Sequence, residues 1–192
     1  MTILLTVSCT QYNEKMTEKR EAQRKADSIA QARKMFVEDS IRHVNDSIAA
    51  EIEKAKLERI KKQEEERKDA VKKSVKITSA YLSSPNSAGG CDANVWYKNM
   101  SDKTIKYLVW TGYPINAVGD RVGCEIRGFQ DYRGKDTGPI KPGHGGGGCW
   151  DCAWYNYSAR KLILTGIEIT YTDGSYFTIK EDEIPLVWAK AK

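Results

Sequence analysis

The first 73 residues contain no glycine, proline or tryptophan; all 15 glycines, 5 prolines and 5 tryptophans follow Ser74. Glycine and proline are the strongest interrupters of regular backbone. The first part can therefore run as unbroken helix, while the second must be cut into short elements by turns. The chain divides near Ser74. Charge does not separate the two parts: 17 basic and 14 acidic residues precede Ser74, and 14 and 12 follow it. Phosphate binding needs a clustered basic face. With both signs mixed throughout, nucleic acid is excluded as a partner class.

Residues 13–73 are rich in Ala, Glu, Lys, Arg and Gln, all strong helix formers. Apolar residues recur at Ala22, Ala26 and Ile29, then at Val37, Ile41, Val44, Ile48 and Ile52. Steps of three and four place them on one stripe of a helix. The tripeptide Asp-Ser-Ile recurs at Asp27, Asp39 and Asp46, and Ala26, Val37 and Ile48 are spaced by eleven, so the period is not a strict heptad. Such an arm either self-associates as a coiled coil, as a homodimer or homotrimer, or stands as a solvated spacer. After Ile60 the stripe fades into K-K-Q-E-E-E-R-K-D, which suits a solvated helix. His43 has no second ligand at helical spacing and reads as a surface residue.

The opening M-T-I-L-L-T-V-S-C-T resembles the end of a bacterial lipoprotein signal, with Cys9 as the lipidated residue and residues 1–12 as the signal remnant. It departs from that pattern in lacking a basic residue before the apolar run and in carrying Thr6 where Leu is usual. No stretch approaches the roughly 18 apolar residues of a membrane-spanning helix. The resemblance therefore implies a membrane partner through a lipid anchor alone, and a cell-envelope location, periplasmic or outer-surface.

From residue 74 to 192 the pattern becomes short strands separated by turn residues. The predicted strands are V-K-I-T-S-A-Y-L, D-A-N-V-W-Y-K-N, T-I-K-Y-L-V-W-T, R-V-G-C-E-I-R, C-W-D-C-A-W-Y-N-Y, L-I-L-T-G-I-E-I-T-Y and Y-F-T-I-K, with a long polar loop before Cys149. In the sixth, Ile163, Thr165, Ile167, Ile169 and Tyr171 are expected on one face. Seven strands without a convincing helix predict an all-β immunoglobulin-like sandwich behind the helical arm. W-Y-K-N-M-S-D-K-T-I-K-Y, Y-P-I-N-A-V-G-D, T-G-P-I-K-P-G and Y-T-D-G-S are similar to uncharacterised bacterial immunoglobulin-like domains of the FxLYD type. Over residues 95–175 that resemblance implies a sandwich in an extracytoplasmic, often lipoprotein, setting, and it implies no catalytic residues.

Four cysteines lie in this part: Cys91, Cys124, Cys149 and Cys152. An even number outside the cytoplasm suits disulfides, with Cys91 or Cys124 joined to one of the later pair. In one extended strand Cys149 and Cys152 would sit about 10 Å apart, too far for a bridge, with side chains on opposite faces. Zinc would need all four, or His144 as a substitute, around one centre. Unpaired buried thiols are the remaining alternative. The C-x-x-C has no β-α-β setting and so is a poor redox motif.

G-H-G-G-G-G lacks the Lys and Ser/Thr of a phosphate loop. Asp120, Asp136, Asp151 and Asp173 fall at or near turns, where aspartate bonds its own backbone. Neither His43 nor His144 lies in a nucleophile motif, so no catalytic residue is expected. The five tryptophans read mainly as core. Trp150 and Trp154, beside the glycine loop, are the candidate ligand platform. The function expected is a non-enzymatic envelope lipoprotein whose sandwich binds a protein or glycan, or serves in assembly. The alternative is a zinc- or thiol-dependent protein built on the four cysteines.

Overall fold

The computed structural model describes the backbone of residues 3–189 and the side chains of residues 12–189. The lipidation expected at Cys9 lies outside the described side chains. The chain forms one long helix, α1 (Ile3–Lys72), followed by seven strands. It divides into two compact units, Met1–Lys61 and Lys62–Lys192.

Among its described residues the first unit is helix alone. Its apolar stripe is on the surface, Val37, Ile41, Val44, Ile48 and Ile52 all being half or more exposed. No helix among the described residues is long and apolar enough to cross a membrane.

The second unit begins with the last turns of α1. The Ser74 hydroxyl bonds the Val71 carbonyl (2.6 Å) and Lys73 N–H bonds the Asp69 carbonyl, closing the helix. The β-branched run of Val75, Ile77 and Thr78 then favours extended backbone. Strands β1 (Val75–Leu82), β2 (Gly90–Asn99) and β5 (Gly145–Tyr155) form one sheet in the order β1-β2-β5. Strands β3 (Ile105–Ile115), β4 (Tyr132–Ile140), β6 (Lys161–Tyr171) and β7 (Tyr176–Ile179) form the other, in the order β4-β3-β6-β7. All pairings are antiparallel. The inner faces share one core that includes Ile77, Val95, Leu108, Trp110, Trp154, Ile167 and Ile169, so the unit is a β-sandwich. A 3-10 turn (Glu181–Glu183) and the short helix α2 (Ile184–Val187) complete it.

Three strand predictions need correction. R-V-G-C-E-I-R is not a strand: Arg121 makes one bridge to Ile115 and the chain then turns at 125–127. The fourth strand is instead Tyr132–Ile140, inside the expected polar loop. Its inward position Gly134 lies under the Trp110 indole, where a Cβ would collide with the ring. A strand that yields its inward position to a neighbour's tryptophan carries little hydrophobic alternation. In β6, Thr165 is an extra residue, because Thr111 faces Gly166 while Gly112 faces Leu164. That bulge changes the face, and the buried set is Leu162, Leu164, Ile167, Ile169 and Tyr171.

Turn chemistry repeats itself at three strand ends. Asn99, Asn156 and Asp173 each accept the N–H and the hydroxyl of a serine two residues on (Ser101, Ser158 and Ser175) through one side-chain oxygen. The buried Asn99 also donates to the carbonyls of Lys103 and Ile140, which ties the β2–β3 connection to β4.

Candidate binding face

The outer face of the β1-β2-β5 sheet carries the features that a binding site needs. Period-2 alternation along β2 turns Cys91, Ala93, Val95 and Tyr97 inward and Asp92, Asn94, Trp96 and Lys98 outward. Cross-strand register builds three rows: Lys76, Lys98 and Gly145; Ser79, Trp96 and Gly147; Tyr81, Asn94 and Cys149. Trp96 is 45% exposed. Its direct neighbours across both strands, Ser79 and Gly147, are small. An open groove of about 570 Å3 runs beside it, lined by Thr78, Trp96, Lys98 and Gly145–Gly147. Volumes of this order suit small ligands.

The glycines are needed there for packing as well as openness. Gly147 has φ +125°, and a Cβ on it would strike the Val95 carbonyl. A Cβ on Gly146 would lie 2.7 Å from the Tyr97 hydroxyl. One carboxylate holds this bare stretch: Asp136 Oδ2 accepts the Tyr97 hydroxyl (2.8 Å) and the Gly147 N–H (2.8 Å). Burial, followed by the Asp136 carboxylate, pushes the Tyr97 pKa well above the ordinary phenol value. Tyr97 therefore remains a donor.

Past Trp96 the face becomes acidic. The ligand atoms of Asp92, Cys149 and Asp151 lie within 4.8 Å of one another. Cys149 Sγ is 3.6 Å from Asp151 Oδ1, and Asp92 Oδ1 accepts the Cys152 N–H (2.8 Å). The Cys149 thiol pKa is raised by desolvation and then by Asp151 and Asp92, all disfavouring a thiolate. The face thus grades from Lys76 and Lys98 through Trp96 to a carboxylate pair.

The tryptophans expected as the platform are elsewhere. Trp154 is fully buried, with its Nε1 donating to the Gln130 carbonyl (3.0 Å). Trp150 packs edge-on to Trp110 with ring centroids 5.1 Å apart. Both point inward because their partners in register are Cys91 and Ala93, residues of the inner face. The signal that would have found Trp96 was present: A-N-V-W-Y-K alternates, and Trp96 shares its parity with Asn94 and Lys98.

Cys91, Cys124, Cys149 and Cys152 are all free in this structure. Cys91 is buried from β2, its Sγ 3.6 Å from the Asn156 carbonyl, while buried Cys124 accepts the Tyr155 N–H (3.4 Å). Cys149 is exposed on the opposite, outer face and Cys152 is half-buried. Cys149 and Cys152 do share one strand, but Asp151–Ala153 oppose the single residue Asp92, and Cys152 has φ +47°. Its sulfur lies against Gly90, where a Cβ would approach to 2.8 Å, with Asn86 Nδ2 3.8 Å away. The four sulfurs do not share a centre. Among the described residues, the group of metal-type side chains with converging ligand atoms is Asp92, Cys149 and Asp151. His144 instead places Nδ1 3.0 Å from the Pro142 carbonyl.

No family model, no curated protein and no solved structure matches this chain.

Proposed function

We propose that this chain is a non-enzymatic cell-envelope lipoprotein, lipidated at Cys9, whose immunoglobulin-like domain binds a glycan on the outer face of the β1-β2-β5 sheet. The observation that carries the reading is Trp96, exposed and flanked across the sheet by Ser79 and Gly147. A flat aromatic face stacks on the C–H face of a sugar ring, and such surfaces are enriched where one side is apolar and the other wet. Asn94, Ser79 and Lys98 border the ring with hydrogen-bonding groups for hydroxyls. The strand order supports the immunoglobulin-like type: β2 pairs with β5 and β3 with β6, as B pairs with E and C with F in that fold. The fourth strand here lies beside β3.

The test is titration of the full chain, carrying Cys9→Ser to avoid lipid, with peptidoglycan fragments and β-linked oligosaccharides. Quenching of tryptophan fluorescence is expected, and Trp96→Ala should weaken binding at least about tenfold, or about 1.4 kcal/mol, with unchanged circular dichroism. Absence of binding to any of these sugars, or binding indifferent to Trp96→Ala, defeats the glycan reading. Lipidation is tested separately by incorporation of labelled palmitate into the wild type and not into Cys9→Ser.

Among the described residues, the zinc- or thiol-dependent alternative rests on Asp92, Cys149 and Asp151. Zinc bound stoichiometrically by the full chain, and lost in Cys149→Ser, would favour it.

A further inference from the structure

We propose that residues 26–55 of α1 assemble with the same segment of two further copies of this chain as a parallel, in-register, three-stranded bundle. This is independent of the glycan reading. Ala26, Ala30, Val37, Ile41, Val44, Ile48, Ile52 and Ala55 fall on one stripe. From Val37 the steps are four, three, four, four and three, an eleven-residue repeat. At about 3.67 residues per turn, such a repeat keeps the stripe aligned in a bundle with a right-handed supercoil. Asp39, Arg42, Asp46 and Glu53 occupy the opposite side, where Met35 and Ala50 also fall. The five central side chains, Val37 to Ile52, are between 50 and 63% exposed. Water against five β-branched residues within sixteen positions is a state that association relieves.

The occupant is specified by side-chain type and by charge. β-Branched residues at every central layer disfavour the two-stranded arrangement, which wants leucine at alternate layers, and favour three or more strands. The stripe's flanks then select a copy of the chain over an unrelated helix. In parallel helices in register, a flank residue faces the residue five positions on in the neighbouring copy. Glu51 meets Lys56, and one repeat earlier Ser40 meets Asn45. Each pair is complementary, and none places like charges together. Arg33 and Arg59 stand on the line of the stripe before and after its apolar layers, and there the bundle ends.

Sedimentation equilibrium of the full chain with Cys9→Ser tests this. The expected mass is three times the 21.7 kDa of one chain. Ile41→Asp with Ile48→Asp should give the mass of one chain while the tryptophan fluorescence of the sandwich is unchanged. Glu51→Lys should raise the half-assembly concentration about tenfold, three weak pairs being reversed. Adding Lys56→Glu to it should restore the wild-type value. A wild-type mass of one or two chains, a trimer that survives the double aspartate change, or a charge swap without recovery overturns the proposal.

Discussion

Arg67 and Glu183 form a two-point ion pair, with Arg67 Nε 2.6 Å from Oε1 and Nη2 2.8 Å from Oε2. The same guanidinium donates to the Thr178 carbonyl and lies 4.7 Å from the centroid of the Phe177 ring. Thr178 and Phe177 belong to β7, the edge strand of the four-stranded sheet. An exposed edge offers unpaired backbone to other chains, and here Arg67 occupies it.

Replacing Arg67 with alanine should cost about 1–2 kcal/mol, the charged hydrogen bonds being discounted for a side chain that is 39% exposed. Arg67→Lys should recover only part of this, because an ammonium cannot reproduce the fork. Arg67 holds the Glu183 carboxyl below its ordinary pKa. The folded state therefore binds fewer protons than the unfolded one, and the stabilisation is present above the ordinary carboxylate pKa. It is lost as pH falls through the depressed folded value. Urea midpoints of wild type and Arg67→Ala should differ at neutral pH and converge in acid.

Gly134→Ala should be among the more damaging single-methyl additions. The new Cβ would meet the indole of Trp110, which is fully buried against Tyr132, Trp150 and Trp154. Overpacking of this kind costs about 1–3 kcal/mol. Thermal unfolding followed by near-ultraviolet circular dichroism should show the loss. A midpoint equal to wild type would mean that Trp110 can move.

Alkylation should rank the thiols by access. Cys149 is exposed and should react first in the native state, with a rate that climbs as pH rises toward its elevated pKa. Cys91 and Cys124 should label only in urea, and burial has already pushed the Cys91 thiol up. Peptide mass mapping after brief iodoacetamide treatment gives the order. Early labelling of Cys124 would contradict this arrangement.

Tyr97→Phe should cost about 1 kcal/mol, since Asp136 keeps the Gly147 N–H as a partner. Asp136→Ala should cost more, because both donors lose their acceptor. On the alkaline side, a phenol with a raised folded pKa contributes stability that is present below its ordinary pKa and lost as pH rises through the folded value. Tyr97→Phe should therefore flatten the fall in stability at high pH. An unaltered slope would locate that fall at other groups.

Local signals carried the helix, its end at Ser74 and six of the strands, because each depended on propensity and turn residues close in sequence. The strand Tyr132–Ile140 did not announce itself, since its inward Gly134 has meaning only beside Trp110, 24 positions earlier. The face change in β6 came from one inserted residue, Thr165, that period-2 counting cannot detect without the partner strand. The candidate site was half legible. The parity of Trp96 was readable in A-N-V-W-Y-K, but nearness to the glycine run drew attention to Trp150 and Trp154. The scattered cysteines were opaque for the same reason as β4: which face each sulfur takes depends on a bulge set by Asp92 and Cys152.

The glycine run in β5 has a consequence for strand alignment. Gly145 to Gly148 look alike to any partner, so a slide of one residue along β2 would alter almost nothing there. The same slide would carry Trp150 and Trp154 from the interior to the solvent. These two indoles therefore act as index pins, denying the bare strand its near-degenerate alternatives and fixing which glycine lies beside Trp96.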